Sequence, residues 1–413
     1  MPFALPPHVL DLQCTVCGAT TIDPWAWTCE RCGPEARRTV RYAEDAPRRM
    51  AAAHAGRPFD QWRYRELLPI PPDAPLPPLV VGGTPVHEAP RLARHLGVAR
   101  AVVKDDGRNP SASAKDRASA VGVVLALAAG KERIACASTG NAGSSTACIA
   151  ASVGLAATIF VPRRAPVPKI AQLRVFGAQV FRVAADYDRT WDLAAEVAAR
   201  MPWFNRNCAV NPYLVEGKKT VALELADQLR GRVPAWVAVS VGDGCTLTGV
   251  VRGLEEAHAA GLIPSVPRVL GVQAEGASPL VRAWRRGGAV EPGPAHTVAD
   301  SLSVGHPRNA LKALQAIRRN GGAMVAVPDE AILEELVALA RLAGIFGEPA
   351  ASATVAGVRA AVGRGIIAPS DGVAILVTGH GLKDPQSALR AVTGPTDVAA
   401  SVDAVLELLG REA

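Results

Sequence analysis

A doubly wound α/β architecture with mostly parallel strands is what this sequence predicts, and three observations predict it. From about residue 100 onward, short runs rich in Val, Ile and Ala alternate with helical stretches of ten or more residues. The short runs lack the apolar/polar alternation of a strand with one wet face, so both of their faces are covered. Polar, glycine-bearing turns follow several of these runs, at the strand ends where an open parallel sheet binds its ligands. The chain has 413 residues, 49% of them hydrophobic, enough for a large core and two or three domains.

Taken from the N-terminus, the first feature is CTVC-x11-CERC, formed by Cys14, Cys17, Cys29 and Cys32. Gly18 and Gly33 follow the two pairs and suit the tight turn of a metal knuckle. Four thiolates so spaced can surround one structural Zn2+, a site with no open position for catalysis. Two disulfides or a metal-free relic are the other readings of the same spacing. A zinc-ribbon-like segment is therefore expected over residues 1–35. Residues 36–82 read as a connector, because PIPPDAPLPPLVVGG (69–83) is stiffened by proline. The main body is expected over 83–393, with a C-terminal helix over 394–413.

Within the body, strands are predicted where the β-branched runs fall: 100–104 (RAVVK), 133–137 (RIACA), 156–161 (AATIFV), 179–183 (QVFRV), 235–241 (AWVAVSV), 268–274 (RVLGVQA), 323–327 (AMVAV) and 372–377 (GVAILV). Helices are predicted over 116–129, 143–153, 187–200, 218–230, 248–260, 329–343 and 349–362 from their period near 3.6. Cys136, Cys148, Cys208 and Cys245 lie in apolar segments and read as small buried hydrophobes.

Charge and hydropathy exclude several classes. A net charge of +7 could attract nucleic acid, yet the basic residues are spread along the chain without a block of like charge. A small anionic ligand is the better use of that potential. No run approaches the roughly 20 apolar residues of a membrane span. The segment MPFALPPHVLDLQ lacks the basic start and apolar core of a secretory signal, so a cytoplasmic location is expected.

Four turns carry the candidate chemistry. In GRNPSASAKDRASAVG (107–122), Lys115 stands at the start of a helix, where the helix dipole disfavours a cation, in a chain that otherwise prefers arginine. Such an amine becomes a nucleophile only when neutral, and burial at a positive helix end near Arg117 would lower its pKa. In GDGCTLTG (242–249), Gly242 and Gly244 let backbone approach a ligand, Thr246 and Thr248 offer hydroxyls, and the next helix offers free N–H groups to a phosphate. The loop alone reads equally as a plain turn, and it matches neither GxGxxG nor a P-loop. The other two are STGNAGSS (138–145) and TGHGLKD (378–384). A phosphate cup beside a buried lysine points to a Schiff base with pyridoxal phosphate, with Asn141 toward the ring oxygen and Thr378 toward the ring nitrogen.

In addition, NPSASAKDRAS, STGNAGSS, VGDGCTLTG, NPYLVEGKKT and TGHGLKDP resemble the successive motifs of threonine synthase, among the fold-type II pyridoxal phosphate enzymes related to the tryptophan synthase β subunit. The resemblance runs from about residue 80 to 390. It implies a lyase of two α/β domains with the cofactor on Lys115, flanked by Ser113 and Asp116, and its phosphate in the loop Gly242, Asp243, Gly244, Cys245 and Thr246. It implies that Ser138, Thr139 and Asn141 hold the carboxylate of a small amino-acid substrate. It further implies that a smaller domain over about 109–219 closes on that substrate, and that the enzyme is a homodimer. The reaction it implies converts O-phosphohomoserine and water to threonine and phosphate.

This chain departs from the family pattern at three places. Leu214 stands where an arginine is expected to grip the substrate phosphate, so another cation (Lys218, Lys219, Lys104 or Arg163) takes over, or the substrate has no such phosphate and the reaction is a sibling β-replacement or β-elimination. Ala112, Ser113 and Ala114 replace the usual GSF, and Asp243 replaces an asparagine. His306, His380 and Glu348 lie near the same turns as secondary candidates, His380 with a structural or ring-facing role. Two readings from other classes are a nicotinamide dehydrogenase, whose fingerprint this sequence lacks, and a zinc-ribbon nucleic-acid protein with an inactive body.

Overall fold

The computed structural model describes residues 3–411 apart from Thr139, Arg164 and Pro166. Four short strands open the chain: β1 (Val9–Cys14), β2 (Thr20–Thr21), β3 (Thr28–Cys29) and β4 (Gly33–Tyr42). They form an antiparallel sheet in the order β2-β1-β4-β3, and Cys14 and Cys29 close β1 and β3. The expected boundary at residue 35 therefore cuts through β4. The segment 36–82 is also more than a connector, since it carries the rest of β4, the helix α1 (Ala46–Ala53) and a 3-10 stretch (Gln61–Leu67). Burial explains the difference: Trp62, Tyr64 and Leu67 sink into the core, while Arg63 bonds Asp227 at 2.7 Å. The longest stretch without regular structure there is the proline-bearing 68–85.

β5 (Val86–Glu88), α2 (Pro90–Leu96) and β6 (Arg100–Asp105) begin a larger sheet. The chain then leaves it for a smaller one through α3 (Lys115–Ala128), β7 (Arg133–Ala137), α4 (Asn141–Ser152), β8 (Ala156–Pro162), α5 (Val167–Val175), β9 (Gln179–Val183), α6 (Tyr187–Arg200) and β10 (Phe204–Asn205). That sheet is wholly parallel, in the order β10-β7-β8-β9. The helix α7 (Tyr213–Leu229) leads back to β11 (Trp236–Ser240), α8 (Cys245–Ala259), β12 (Arg268–Ala274), α9 (Pro279–Arg286), α10 (Ala310–Arg319), β13 (Ala323–Val327), α11 (Asp329–Ala343), α12 (Pro349–Gly363) and β14 (Gly372–Val377). The completed sheet has the order β13-β12-β11-β14-β6-β5, parallel except for the edge strand β5. The fold is thus α/β, with two doubly wound sheets and a small cysteine-bearing sheet at the N-terminus.

The strands read as apolar runs because helices cover both faces. Val237, Val239, Val269, Val272, Val325, Val373 and Ile375 are all inaccessible to solvent, and each such side chain contributes roughly 1.5–3 kcal/mol through burial. The Ala- and Gly-rich α12 lies against the sheet so closely that a Cβ on Gly357 would fall 2.2 Å from Val272. Charge is buried too. Arg117 bonds Asp106 at 2.7 Å and Glu224 at 2.6 Å, and Lys104 bonds Glu224 at 2.7 Å, so one network ties α3, α7 and β6 together.

The N-terminal sheet docks at the root of α7. Tyr213 donates from its hydroxyl to Pro24 O at 2.7 Å, and Trp27 meets the Phe204 and Tyr213 rings edge on. At the other end, α13 (Pro385–Arg390) is followed by α14 (Val402–Arg411). The helix expected over 394–413 starts only at Val402. Among the described residues, no helix is long and apolar enough to cross a membrane.

Candidate active site

Lys115 is the first residue of α3, and its position is fixed by the turn that follows β14. Ser113 pairs as a bridge with Gly379, Ala114 N donates to Thr378 O at 2.9 Å, and His380 N donates to Ala112 O at 3.0 Å. The lysine turn and the TGHG turn are therefore one hydrogen-bonded unit. Ala112 adopts a φ of 63°, a left-handed conformation rare for alanine, as the chain folds under this bridge. Asp116 closes the turn from the other side, accepting from Ser111 N at 2.6 Å and Ser111 Oγ at 2.5 Å.

A cavity of about 260 Å³ opens in front of Lys115, between the two sheets. Its wall includes Ser138, Gly140 and Asn141 from the head of α4, Gly242 to Thr246 from the head of α8, Thr378, and Lys218 from α7. The two glycines of the loop have a steric reason. Gly244 has a φ of 90°, and a Cβ there would lie 2.6 Å from that of Ala313; one on Gly242 would lie 3.0 Å from Ser301 O. Only glycine lets this backbone curl with the first-turn amides of α8 directed at an anion. Thr246 lines the cavity, whereas Thr248 turns back to bond Gly244 O at 3.0 Å.

Burial lowers the Lys115 pKa to about 8, the nearby Lys218 charge adds to this, and Glu348 opposes it. Arg206 contributes in the same direction as Lys218. Arg117 is not among the leading causes, contrary to the expectation from sequence: its guanidinium is paired with Asp106 and Glu224. Asn141 donates to both carboxylate oxygens of Glu348, at 2.7 and 2.9 Å. Burial raises the Glu348 carboxyl, and Asn141 and Lys115 pull it back. Burial likewise raises Asp243, whose Oδ1 accepts from Arg308 N at 3.2 Å.

Several candidates fall elsewhere. Ser113 is fully buried, its Oγ has no partner, and it is not part of the cavity wall. Thr139 lies outside the described residues. His380 caps the turn after it, accepting from Leu382 N at 3.1 Å, and His306 is not in the wall. Of the four cations considered in place of an arginine at 214, Lys104 and Lys219 are consumed in buried ion pairs and Arg163 is exposed outside the cavity, leaving Lys218. Leu214 itself packs toward Gly122 in the core.

Sequence reasoning missed the loop 206–209. Arg206 lines the cavity and is anchored on Ser119 Oγ at 2.9 Å and Lys115 O at 3.3 Å. Its neighbour Asn207 accepts Ala137 N at 3.0 Å, while its Nδ2, buried in the same wall, has no partner. An unpartnered buried amide costs free energy unless a ligand accepts from it. Asp300 to Val304 and the rings of Tyr187 and Trp191 complete the wall. Cys208 and Cys245 pack in a small apolar cluster, as expected of buried cysteines, and also line the cavity.

The residues present fit pyridoxal phosphate: a neutralisable lysine, a glycine cup at a helix head for the phosphate, and Asn141 and Thr378 in the same wall for the ring. At the N-terminus, the Sγ atoms of Cys14, Cys17, Cys29 and Cys32 lie within 4.8 Å of one another, a set able to hold a metal ion.

Comparison with known proteins agrees with this geometry. Residues 78–379 match the family model described as pyridoxal-phosphate dependent enzyme. The chain is 35% identical to the threonine synthase of Methanocaldococcus jannaschii over 96% of its own length and 98% of that protein's. It is 38% identical to that of Methanosarcina acetivorans, covering 84% of this chain and 86% of the other. The fold resembles that of Escherichia coli diaminopropionate ammonia lyase (TM-score 0.65, 19% identity, 84% of this chain and 91% of that one) and of O-ureido-L-serine synthase (TM-score 0.64, 23% identity, 78% and 96%). With its lysine, glycine cup and two parallel sheets arranged in this way, the chain belongs to the threonine synthase family of pyridoxal-phosphate dependent enzymes.

Proposed function

We propose that the protein is a threonine synthase, converting O-phosphohomoserine and water to threonine and phosphate. The observation that carries this reading is the pairing of Lys218 and Arg206, with the unpartnered Asn207 amide, in the wall of the cavity that holds Lys115. Two cations and a free N–H donor suit a substrate that brings a phosphate of its own, beyond the one the glycine cup takes. Leu214 removes the family's usual arginine but faces the core, and the cavity wall carries its positive charge from Arg206 and Lys218 instead.

Bound pyridoxal phosphate supplies a conjugated ring that takes up the electron pair released at the substrate carbons. The chain's own groups do the rest. Lys115 Nζ anchors the cofactor and then, with its pKa lowered to about 8, takes and returns protons at Cα and Cβ. Gly242, Asp243, Gly244, Cys245 and Thr246 hold the cofactor phosphate, and Thr378 and Asn141 face the ring. Ser138, in the cavity wall, holds the substrate carboxylate. Lys218 Nζ donates to Thr246 Oγ1 at 3.4 Å, which puts a cation beside the glycine cup.

We also propose that Cys14, Cys17, Cys29 and Cys32 hold Zn2+. Tetrahedral coordination at about 2.3 Å per Zn–S bond requires sulfurs about 3.8 Å apart. The Cys17 and Cys29 sulfurs are 3.8 Å apart.

Product analysis with O-phosphohomoserine, O-phosphoserine and serine tests the substrate. Threonine plus phosphate from the first, and nothing from the others, is the expected result. A sibling β-elimination or β-replacement would instead consume O-phosphoserine or serine, and would make the Leu214 change one of substrate.

A further inference from the structure

Cys208 and Cys245 reach one another from opposite halves of the molecule. Cys208 lies in the loop between β10 and α7, attached to the smaller sheet; Cys245 is the first residue of α8, which packs on the larger one. They pack together with Ala209 and Val215, and both face the cavity of Lys115. Cys245 is 3% exposed and Cys208 half-buried, so the second is the more accessible to a small molecule entering the cavity.

Their surroundings make them unequal. The adjoining Cys245 thiol, together with the charges of Lys218 and Arg206, holds the Cys208 thiol well below the ordinary range against its burial. Its neighbour Cys208 and its burial push Cys245 the other way. Cys136 and Cys148 are raised by burial. A thiol of lowered pKa beside two cations, packed against a second thiol, is the arrangement of an attacking and a resolving cysteine.

We propose that Cys208 and Cys245 form a redox modification site, in which a peroxide admitted to the cavity converts the pair to a disulfide that staples the glycine cup to the loop of the smaller sheet. The Cys208 sulfur attacks one peroxide oxygen, the O–O bond breaks, and the products are a sulfenic acid and hydroxide. The Cys245 sulfur then attacks the sulfenic sulfur, whose hydroxyl leaves as water once protonated. Two thiols give up two electrons and two protons, and one peroxide becomes two waters. A thiol reductant reverses the change by exchange. The staple would fix Cys245, inside the cup, to the residue beside Asn207, with Lys218 and Thr246 adjoining it. The loss of turnover expected from this rests on the proposed function of the cup; the cross-link itself does not.

The test uses the holoenzyme, treated with a few equivalents of hydrogen peroxide, alkylated and digested without reduction. We expect a peptide pair joined through Cys208 and Cys245, lighter by two hydrogen masses than the two free peptides, with turnover lost in step and restored by dithiothreitol. In Cys245→Ser, dimedone should label Cys208, and in Cys208→Ser the cross-link should be absent; each variant is compared with its own untreated rate. Alkylation of both cysteines after peroxide, with oxidation confined to Cys14, Cys17, Cys29 and Cys32, would overturn the proposal. A cross-linked enzyme that keeps its full rate would instead overturn the place given to the glycine cup in turnover. If a variant fails to fold, the wild-type peptide map still decides. A cross-link in a protein that makes no threonine would sink only the substrate assignment, and threonine formation without a cross-link would sink only the redox site.

Discussion

The protonation of Lys115 is the most quantitative consequence of the cavity. Burial and the Lys218 charge bring its pKa to about 8 from the ordinary 10.5. At pH 7 about one amine in ten is then neutral, against roughly one in 3,000 for a solvated lysine, a gain of about 300-fold in nucleophile. Stopped-flow mixing of cofactor-free protein with pyridoxal phosphate, followed by the growth of the visible chromophore, measures this directly. The rate should climb about tenfold per pH unit from pH 6 and level off near pH 8. Lys218→Met removes the neighbouring cation and should move that break upward. Glu348→Gln removes the opposing carboxylate and should move it downward. A rate that keeps climbing to pH 10, or a break that moves the same way in both variants, would refute the placement of these three charges around one amine.

Other predictions follow from the same structure. Burial would raise Glu224, but Arg117 and Lys104 overcome it and hold the carboxyl down to about 2; the stability it lends is present above about pH 4.5 and lost as pH falls toward 2. Glu224→Gln should accordingly cost about 3–5 kcal/mol in urea unfolding at pH 7, and less at pH 3. Because Trp25 and Trp27 sit between the two CxxC pairs and touch Phe204, chelating the metal should change tryptophan emission and expose the N-terminal sheet to proteolysis, with one Zn2+ per chain recovered. Arg308 stacks 4.0 Å above the Trp191 ring and bonds Asp188 and Asp192 on α6, joining the loop that holds Asp243 to the smaller sheet. Arg308→Gln should raise KM for O-phosphohomoserine several-fold while leaving thermal stability within about 1 kcal/mol, as expected for a partly exposed ion pair.

Most of the two parallel sheets was legible in the sequence, for a physical reason. A strand covered on both faces must be apolar throughout, so AMVAV at Ala323–Val327 or GVAILV at Gly372–Val377 announces itself without any partner being known. Helices were legible where their apolar face recurs, as over Tyr187–Arg200. α7 was read five residues late, because Tyr213 to Gly217 carry a buried Glu216 and a glycine that propensity assigns to a loop. Two of the N-terminal strands, β2 and β3, were hidden by brevity, at two residues each.

The cavity divides along a similar line. Turns directly after strands, bearing Asn141, Gly242 and Thr378, were readable because topology sends strand ends to one edge. Arg206 and Asn207 follow a two-residue strand and sit among many scattered arginines, so nothing local distinguished them; the only signal is their proximity to NPYLVEGKKT. The error over Arg117 was of another kind. Two residues along a helix from Lys115 the side chain faces another direction, and here it meets two carboxylates in the core.

Borohydride reduction of the holoenzyme, followed by peptide mapping, bears most directly on the central claim. Two lysines line the cavity, Lys115 and Lys218. The account predicts a yellow protein, bleached by reduction, with the pyridoxyl label on Lys115 alone. A colourless protein after incubation with pyridoxal phosphate, or a label on Lys218, would contradict it.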